Sequence, residues 1–292
     1  MDNGKIPRSF GTHDGTFHAD EVTACALLLV FNLIDKDKIV RSRNIEELSK
    51  CEYVCDVGGV YNPPEKLFDH HQADYQGQLS SAGMVLLHLR DSGAISDLEY
   101  RFFDHSLING VDAHDNGKDP QIPGLCTYSN VVSNFTPIPY DVSPAVQDKA
   151  FFDALDFAYG HLSRLWNRFQ YMHSCREVIS EIMAKNEECL FFEKSLPWLE
   201  IFFELGGISH PAKFVIMPSG KFWKLRGIPP NLEDKMKVRI PLPLEWAGLM
   251  DQDLKQISGI PGAIFCHKGR FISVWETKED AFKALEYTLK KR

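Results

Sequence analysis

Tyr53-Val54-Cys55-Asp56-Val57-Gly58-Gly59 decides how the first third of this chain folds. Tyr53 to Val57 is short, apolar and β-prone, so it reads as a strand, and the glycine pair ends it. The aspartate is the informative residue, because it delivers a carboxylate to the rim of a sheet. Working outward, Lys38-Ile39-Val40-Arg41 reads as a second short strand. Ala24-Cys25-Ala26-Leu27-Leu28-Leu29-Val30-Phe31 is apolar nearly all round, as in a helix buried against a sheet. Short strands alternating with helices predict an α/β fold, with a parallel sheet and a site at the carboxyl ends of its strands. Two more helices are expected, near Ala82–Leu89 and Asp97–Ile108.

The stretch Pro120–Pro144 is rich in Pro, Asn, Ser and Thr and reads as an irregular connection. Ser143-Pro144 has the chemistry of a helix start, a capping hydroxyl followed by a first-turn proline, and the pattern stays helical to about Glu188. Beyond it, Leu199–Leu205, Phe214–Met217 and Phe222–Leu225 read as strands of a second, smaller α/β unit, and Glu279–Lys290 as a closing amphipathic helix. The expected organisation is a metal-binding catalytic domain over 1–140, a helical linker over 141–190, and a substrate-binding α/β domain over 191–292.

Composition narrows the function. The 292 residues are 44% hydrophobic, with a net charge of -8. That charge excludes a protein that grips long duplexes through a broad basic face, but not one that engages a short phosphate ligand locally. The seven cysteines are scattered, with Cys51 and Cys55 the only close pair and no second pair to complete a zinc ribbon, which suits reduced thiols. There is no signal-like amino terminus and no bilayer-length apolar run. A cytoplasmic protein without a membrane partner is expected.

Four clusters carry the chemistry: His13, His18, Asp20 and Glu21 within Thr12-His13-Asp14-Gly15-Thr16-Phe17-His18-Ala19-Asp20-Glu21; Asp56; Asp69-His70-His71; and Asp112-Ala113-His114-Asp115-Asn116-Gly117. Singly, each has an ordinary explanation. Asp20 can cap the helix that follows it, and Asp112 and Asp115 can form a turn beside Asn116-Gly117. Together they fall within the first 117 residues, one per expected structural unit. Mixed imidazole and carboxylate sets suit Mn²⁺, Fe²⁺, Zn²⁺ or Mg²⁺. Two such ions about 3.5–4 Å apart can share a carboxylate and activate water for attack on phosphorus. His18 and Asp20, two apart at a helix entrance, can each face one ion, and Asp56 beside its glycines is suited to bridge.

These motifs resemble the DHH phosphoesterase superfamily, and more closely its MYG family, named for the melanocyte proliferating gene product. The resemblance rests on Thr12–Glu21, on Asp56-Val57-Gly58-Gly59, on Phe68-Asp69-His70-His71 followed by Ser80-Ser81-Ala82-Gly83, and on Asp112–Gly117. Leu242-Pro243-Leu244-Glu245-Trp246-Ala247-Gly248-Leu249 and Ser258-Gly259-Ile260-Pro261-Gly262 extend it through the second half. It implies a two-lobed hydrolase that uses two divalent ions, Mn²⁺ foremost, as a 3′-to-5′ exonuclease on RNA. It further implies His13, His18 and Asp56 around one ion, and Asp20, Asp56, His70 and either Asp112 or Asp115 around the other. His71 would face the substrate as a general acid or as a stabiliser of phosphoryl charge. Two departures stand out. His18 occupies a position where the wider superfamily has Asp. Phe271-Ile272 is followed by Ser273-Val274-Trp275, where MYG relatives carry a glycine pair that would let backbone approach substrate.

Lys213, Lys221, Lys224, Arg226, Lys235, Lys237 and Arg239, interleaved with Phe214, Phe222 and Trp223, have the composition of a single-strand groove, though a solvated strand face has it too. Arg239, His267 and Lys268 are further candidates for phosphate contact. The expected substrate is single-stranded RNA or a short oligonucleotide. The alternatives are a hydrolase of a small phosphate compound (a nucleotide, cyclic dinucleotide or polyphosphate) and a non-catalytic nucleotide or metal sensor.

Overall fold

The computed structural model describes residues 4–139 and 141–291, so the readings of the amino terminus at residues 1–3 and of the connection at Tyr140 lie outside the described residues. The chain divides into two compact units, one ending at Phe169 and the other beginning at Gln170.

In the first unit, β1 (Ile6–Thr12), β2 (Ile39–Arg41), β3 (Cys51–Cys55), β4 (Tyr61–Asn62) and β5 (Leu67–Phe68) form one sheet in the order β2-β1-β3-β5-β4. β2, β1, β3 and β5 are parallel, and β4 pairs antiparallel with β5. The helices are α1 (Ala19–Val30), α2 (Ile45–Leu48), α3 (Ser81–Asp91), α4 (Asp97–Phe103), α5 (Asn109–Asp115), α6 (Tyr128–Ser133) and α7 (Pro144–Ser174), whose last residues, from Gln170, belong to the second unit. A π turn at Asp104–Ile108 joins α4 to α5 without a break.

The all-round apolar run expected near Ala24 lies in α1, whose residues Ala19–Leu28 are all buried. Phe10, Cys55 and Phe68 from the sheet, Leu27 from α1, Leu86 from α3 and Phe151 and Leu155 from α7 share one core. Each such large side chain contributes about 1.5–3 kcal/mol by leaving water. On the other sheet face a smaller core gathers Leu48, Cys51 and Val54. Gly11 makes that packing possible, since a Cβ there would lie 2.9 Å from Leu48 Cδ2 and 3.0 Å from Cys51 Sγ. The stretch expected to be irregular contains α6, whose first turn is capped by Thr127 accepting from Asn130 N–H.

The second unit contains α8 (Arg176–Ala184), β6 (Cys189–Phe191), α9 (Trp198–Glu204), β7 (Phe214–Ser219), β8 (Phe222–Gly227), α10 (Asp251–Ser258), β9 (Ala263–Cys266), β10 (Ile272–Trp275) and α11 (Lys278–Lys290). Its sheet order is β6-β7-β8-β10-β9, parallel between β6 and β7 and antiparallel elsewhere. Ile179, Met183, Ile201 and Phe202 pack with Val215 and Met217 in one core, and Leu254, Ala281 and Ala284 with Ile216, Leu225 and Trp275 in another. The expected strand over Leu199–Leu205 is instead α9. Its buried residues Trp198, Leu199, Ile201 and Phe202 repeat with the spacing of one helical face.

Candidate metal centre

The parallel strands deliver their chemistry at their carboxyl ends. β1 runs into His13, β3 into Asp56, and β5 into Asp69-His70-His71. Asp56 leaves its strand in the left-handed region, φ +56°, a conformation that Asp tolerates better than most side chains. Gly58 and Gly59 follow at φ +99° and +66°, where a side chain would be strained. Gly59 N–H then donates to Asp69 Oδ2 at 2.6 Å, tying the β3 turn to the end of β5.

His13, Asp20, Glu21 and Asp56 are buried. His13 Nδ1 contacts the Asp14 carbonyl at 2.9 Å. With Nδ1 donating there, Nε2 faces Glu21 Oε1 and Asp56 Oδ2, each at 3.2 Å. His70 Nε2 lies 3.2 Å from Asp115 Oδ2, 3.4 Å from Asp56 Oδ1 and 3.9 Å from Asp20 Oδ2. His71 Nδ1 lies 2.8 Å from Asp69 Oδ1 and 3.4 Å from Asp56 Oδ1. Three ligand groups result, each with its atoms mutually within 4.8 Å: His13, His18, Glu21 and Asp56; Asp56, His70 and His71; and His18, Asp20 and Asp115. Asp56 and His18 each belong to two. A cavity of about 740 Å³ opens over His13, His18, Asp56 and His71.

Such a concentration of buried carboxylates is unfavourable without cations. Burial, followed by repulsion from Asp56, Glu21 and Asp115, pushes the Asp20 carboxyl well above its ordinary range. Burial also raises Asp115. At Asp56 burial is overcome by the neighbouring imidazoles of His13 and His70, which hold that carboxyl below its usual value. At His13 burial opposes the charge, but Asp56 and Glu21 prevail and the imidazole is pushed up to about 10. Asp20 Oδ1, Asp56 Oδ1 and His70 Nε2 are buried without an aligned hydrogen-bond partner, although His70 Nε2 and Asp56 Oδ1 are close. Lone pairs that converge without donating to one another fit a divalent ion between them, and the donor set suits Mn²⁺ or a similar ion. The Nδ1 contact of His13 is the supporting bond that metal-ligating histidines ordinarily make.

Of the two carboxylates on α5, Asp115 lies in this cluster. Asp112 is turned away from it. Its Oδ1 accepts from Ser80 N–H at 3.0 Å, Ser80 Oγ at 2.6 Å and Gly83 N–H at 3.1 Å, which caps the start of α3. Glu21 joins the cluster although the sequence argument left it out of the ligand set. Its carboxylate also accepts from the His18 N–H at 2.9 and 3.0 Å, so it presents itself in sequence as an ordinary first-turn helix acid.

The expected substrate residues fare differently. Arg239 is a correction. Its five N–H donors go to the carbonyls of Pro229, His210, Ala212, Gly207 and Ile208, leaving none for a phosphate. His267 Nδ1 accepts from Gly269 N–H at 2.9 Å in the β9–β10 turn, and Lys268 beside it is exposed. Lys224 and Arg226 stand on one face of β8, and burial lowers both pKa values. Trp223 stacks on Phe191 at 6.0 Å rather than on an open surface. Ser273 is buried and accepts from the Trp275 indole N–H at 2.9 Å, so it serves the core.

No described helix is long and apolar enough to cross a membrane. A family model for MYG1 exonucleases, described as "Uncharacterised protein family (UPF0160)", matches residues 9–289. The chain is 51% identical over 288 residues to the MYG1 protein of Chlamydia muridarum, with 99% of each covered. It is 32% identical to the MYG1 exonuclease of Rattus norvegicus, with 99% of this chain and 87% of the relative covered. Among solved structures, RecJ of Thermus thermophilus in complex with Mn²⁺ is similar at a TM-score of 0.28 and 13% identity. That match covers 97% of this chain, which spans about half (52%) of that one.

Proposed function

The chain belongs to the MYG1 family, and from that premise we propose that it is a metal-dependent phosphodiesterase, a 3′-to-5′ exonuclease on RNA or short single-stranded oligonucleotides. The observation that carries this reading is the convergence on Asp56 of imidazole and carboxylate atoms that lie close without hydrogen-bond alignment. The relatives named MYG1 exonuclease support a nucleic-acid substrate. RNA and the direction of cutting follow from the motif resemblance.

In this reading His13, His18, Glu21 and Asp56 would hold one divalent ion, Mn²⁺ for preference. Asp20, Asp56, His70 and Asp115 would hold the second. The ions, when bound, supply Lewis acidity to a water and to the phosphoryl oxygens. Asp56 belongs to two of the ligand groups, at the point where β3 ends in a left-handed residue. Asp69 fixes His71 through Nδ1, so that Nε2 of this exposed ring is available to the cavity as a proton donor to the leaving oxygen. Glu21 holds the His18 amide, which sets the position of the His18 ring at the start of α1.

The test is incubation of metal-stripped protein with 5′-labelled and 3′-labelled single-stranded RNA, with Mn²⁺, Mg²⁺ or no ion, beside Asp56→Asn. Ion-dependent stepwise shortening from the 3′ end, lost in the variant, is expected. Tight Mn²⁺ binding without shortening of any oligomer would overturn the exonuclease reading. Turnover of a cyclic dinucleotide or polyphosphate in its place would move the activity to small phosphates.

A further inference from the structure

The cavity over the metal cluster is walled by carboxylates, imidazoles and glycine backbone. Among the described residues, Arg43 is its one permanently cationic lining residue. Its side chain is 66% exposed, and Nε lies 3.2 Å from Asp14 Oδ1. Among the described residues the guanidinium has no second partner. A guanidinium steadied along its Nε edge keeps its two terminal nitrogens in a fork that matches two phosphate oxygens. Arg41, two residues earlier, behaves oppositely. Its side chain is 3% exposed and donates to Asp148 at 2.7 Å and to the Gly15 carbonyl at 2.5 Å, and it lies 4.7 Å from the centre of the Phe151 ring. Arg41 is thus structural, and Arg43 is free to engage a ligand.

Directly after Arg43 the chain enters α2, capped by Asn44. Ile45 and Leu48 of that helix, with Val54, Val57, Val60 and Leu67, wall a second cavity of about 170 Å³. Val57 and Gly58 line both cavities, so the apolar groove adjoins the space over the candidate metal ligands. Its outer walls, Ile45 and Val60, are 67% and 44% exposed. The groove is smaller than the roughly 300–1,000 Å³ that enclose a whole ligand. It suits one planar ring, whose charged remainder must lie outside, towards Arg43. Ser49, a polar group in its lining, donates its hydroxyl to the Glu46 carbonyl, so the walls offer apolar contact in place of base-edge readout.

We infer that Arg43 and the Ile45–Leu67 groove form a nucleotide subsite beside the metal ligands, with the guanidinium on a backbone phosphate and the groove on the base of a nucleotide neighbouring the scissile bond. The inference rests on the phosphodiesterase reading. It adds that an unpaired base is needed, and that the subsite accepts any of the four bases.

The test is fluorescence anisotropy of a labelled single-stranded oligoribonucleotide with the full chain in Ca²⁺, at several salt concentrations, with wild type, Arg43→Gln, Ile45→Ser and Arg168→Gln. Arg168 is exposed and does not line either cavity. Arg43→Gln is expected to weaken binding about tenfold, the loss of a charge-assisted contact. It should also flatten the salt dependence by about 0.7 in log–log slope, one single-strand phosphate. Ile45→Ser is expected to weaken binding about fivefold with the slope kept, and Arg168→Gln to change neither. Wild-type affinity and slope in Arg43→Gln would overturn the subsite. So would wild-type protein that does not bind the oligomer. Wild-type turnover in Mn²⁺, measured alongside, judges the phosphodiesterase reading separately from these ratios.

Discussion

Replacing Asp112 separates a carboxylate that builds the site from those proposed to hold ions. Its Oδ1 accepts from three donors of Ser80 and Gly83, all at the start of α3. Asp112→Ala leaves those buried donors without their partner, at about 1–3 kcal/mol each and less than additively. A loss of about 3 kcal/mol in the opening free energy of α3 follows. Asp112→Asn keeps an oxygen at that position and differs in a second way. Burial, offset by the Ser80 and Gly83 hydrogen bonds, raises Asp112 from 3.8 to about 6. A rise of that size corresponds to about 3 kcal/mol. The folded value exceeds the unfolded one, so the protonated acid favours the fold. That contribution is complete below about pH 4 and is lost as the pH rises through about 6. Asparagine does not titrate. Hydrogen exchange of the α3 amides, corrected for intrinsic rates, reads both effects. Asp112→Ala should exchange about a hundredfold faster than wild type at pH 7. Asp112→Asn should stay within about tenfold of wild type, without the fall in protection from pH 5 to 8. Both should keep wild-type Mn²⁺ stoichiometry. Asp112→Ala with normal α3 protection and a missing ion would refute the reasoning and make Asp112 a ligand.

Three further outcomes follow from the same geometry. Glu21→Gln keeps an oxygen for the His18 amide but loses the charge facing His13, and Mn²⁺ affinity by calorimetry should fall at least about tenfold; unchanged affinity would remove Glu21 from the ligand set. With Asp56 and Glu21 pushing the His13 imidazole up to about 10, it should contribute stability fully below about pH 6.5 and lose it as the pH rises through 10. Mn²⁺ binding at pH 7 should therefore release at least one proton, that of His13 Nε2, with the raised Asp20 carboxyl adding to it, seen as heats that vary with the buffer's ionisation enthalpy, and buffer-independent heats would contradict it. Arg239→Met removes the five-carbonyl clamp and should destabilise the second unit by about 2–4 kcal/mol in urea unfolding followed by its four tryptophans, with no change in the salt dependence of oligonucleotide binding; a flatter salt dependence would return Arg239 to the substrate.

The sequence carried the parallel sheet and its site because strand-end chemistry is local. Asp56 before two glycines and Asp69-His70-His71 after Leu67-Phe68 are both visible within a few residues. The choice between Asp112 and Asp115 was not legible. They lie three apart on one helix, and the π turn at Asp104–Ile108 shifts the helical phase by an extra residue just before them. Glu21 was hidden because a first-turn acid already has a capping explanation. The strand expected at Leu199–Leu205 failed because aromatic and β-branched content outweighed the helical spacing of Trp198, Leu199, Ile201 and Phe202. β1 went unread because Arg8, in the left-handed region at φ +63°, breaks its apolar alternation. Arg239 was read as a phosphate ligand because carbonyls as distant as Gly207 leave no mark beside it in the sequence.

Electron paramagnetic resonance of a Mn²⁺ titration tests the shared-carboxylate centre most directly. Wild-type protein should bind two ions per chain and develop a spin-coupled dimanganese spectrum, and Asp56→Asn should lose that coupling. A single uncoupled ion per wild-type chain at saturation, or coupling that survives in Asp56→Asn, would contradict it.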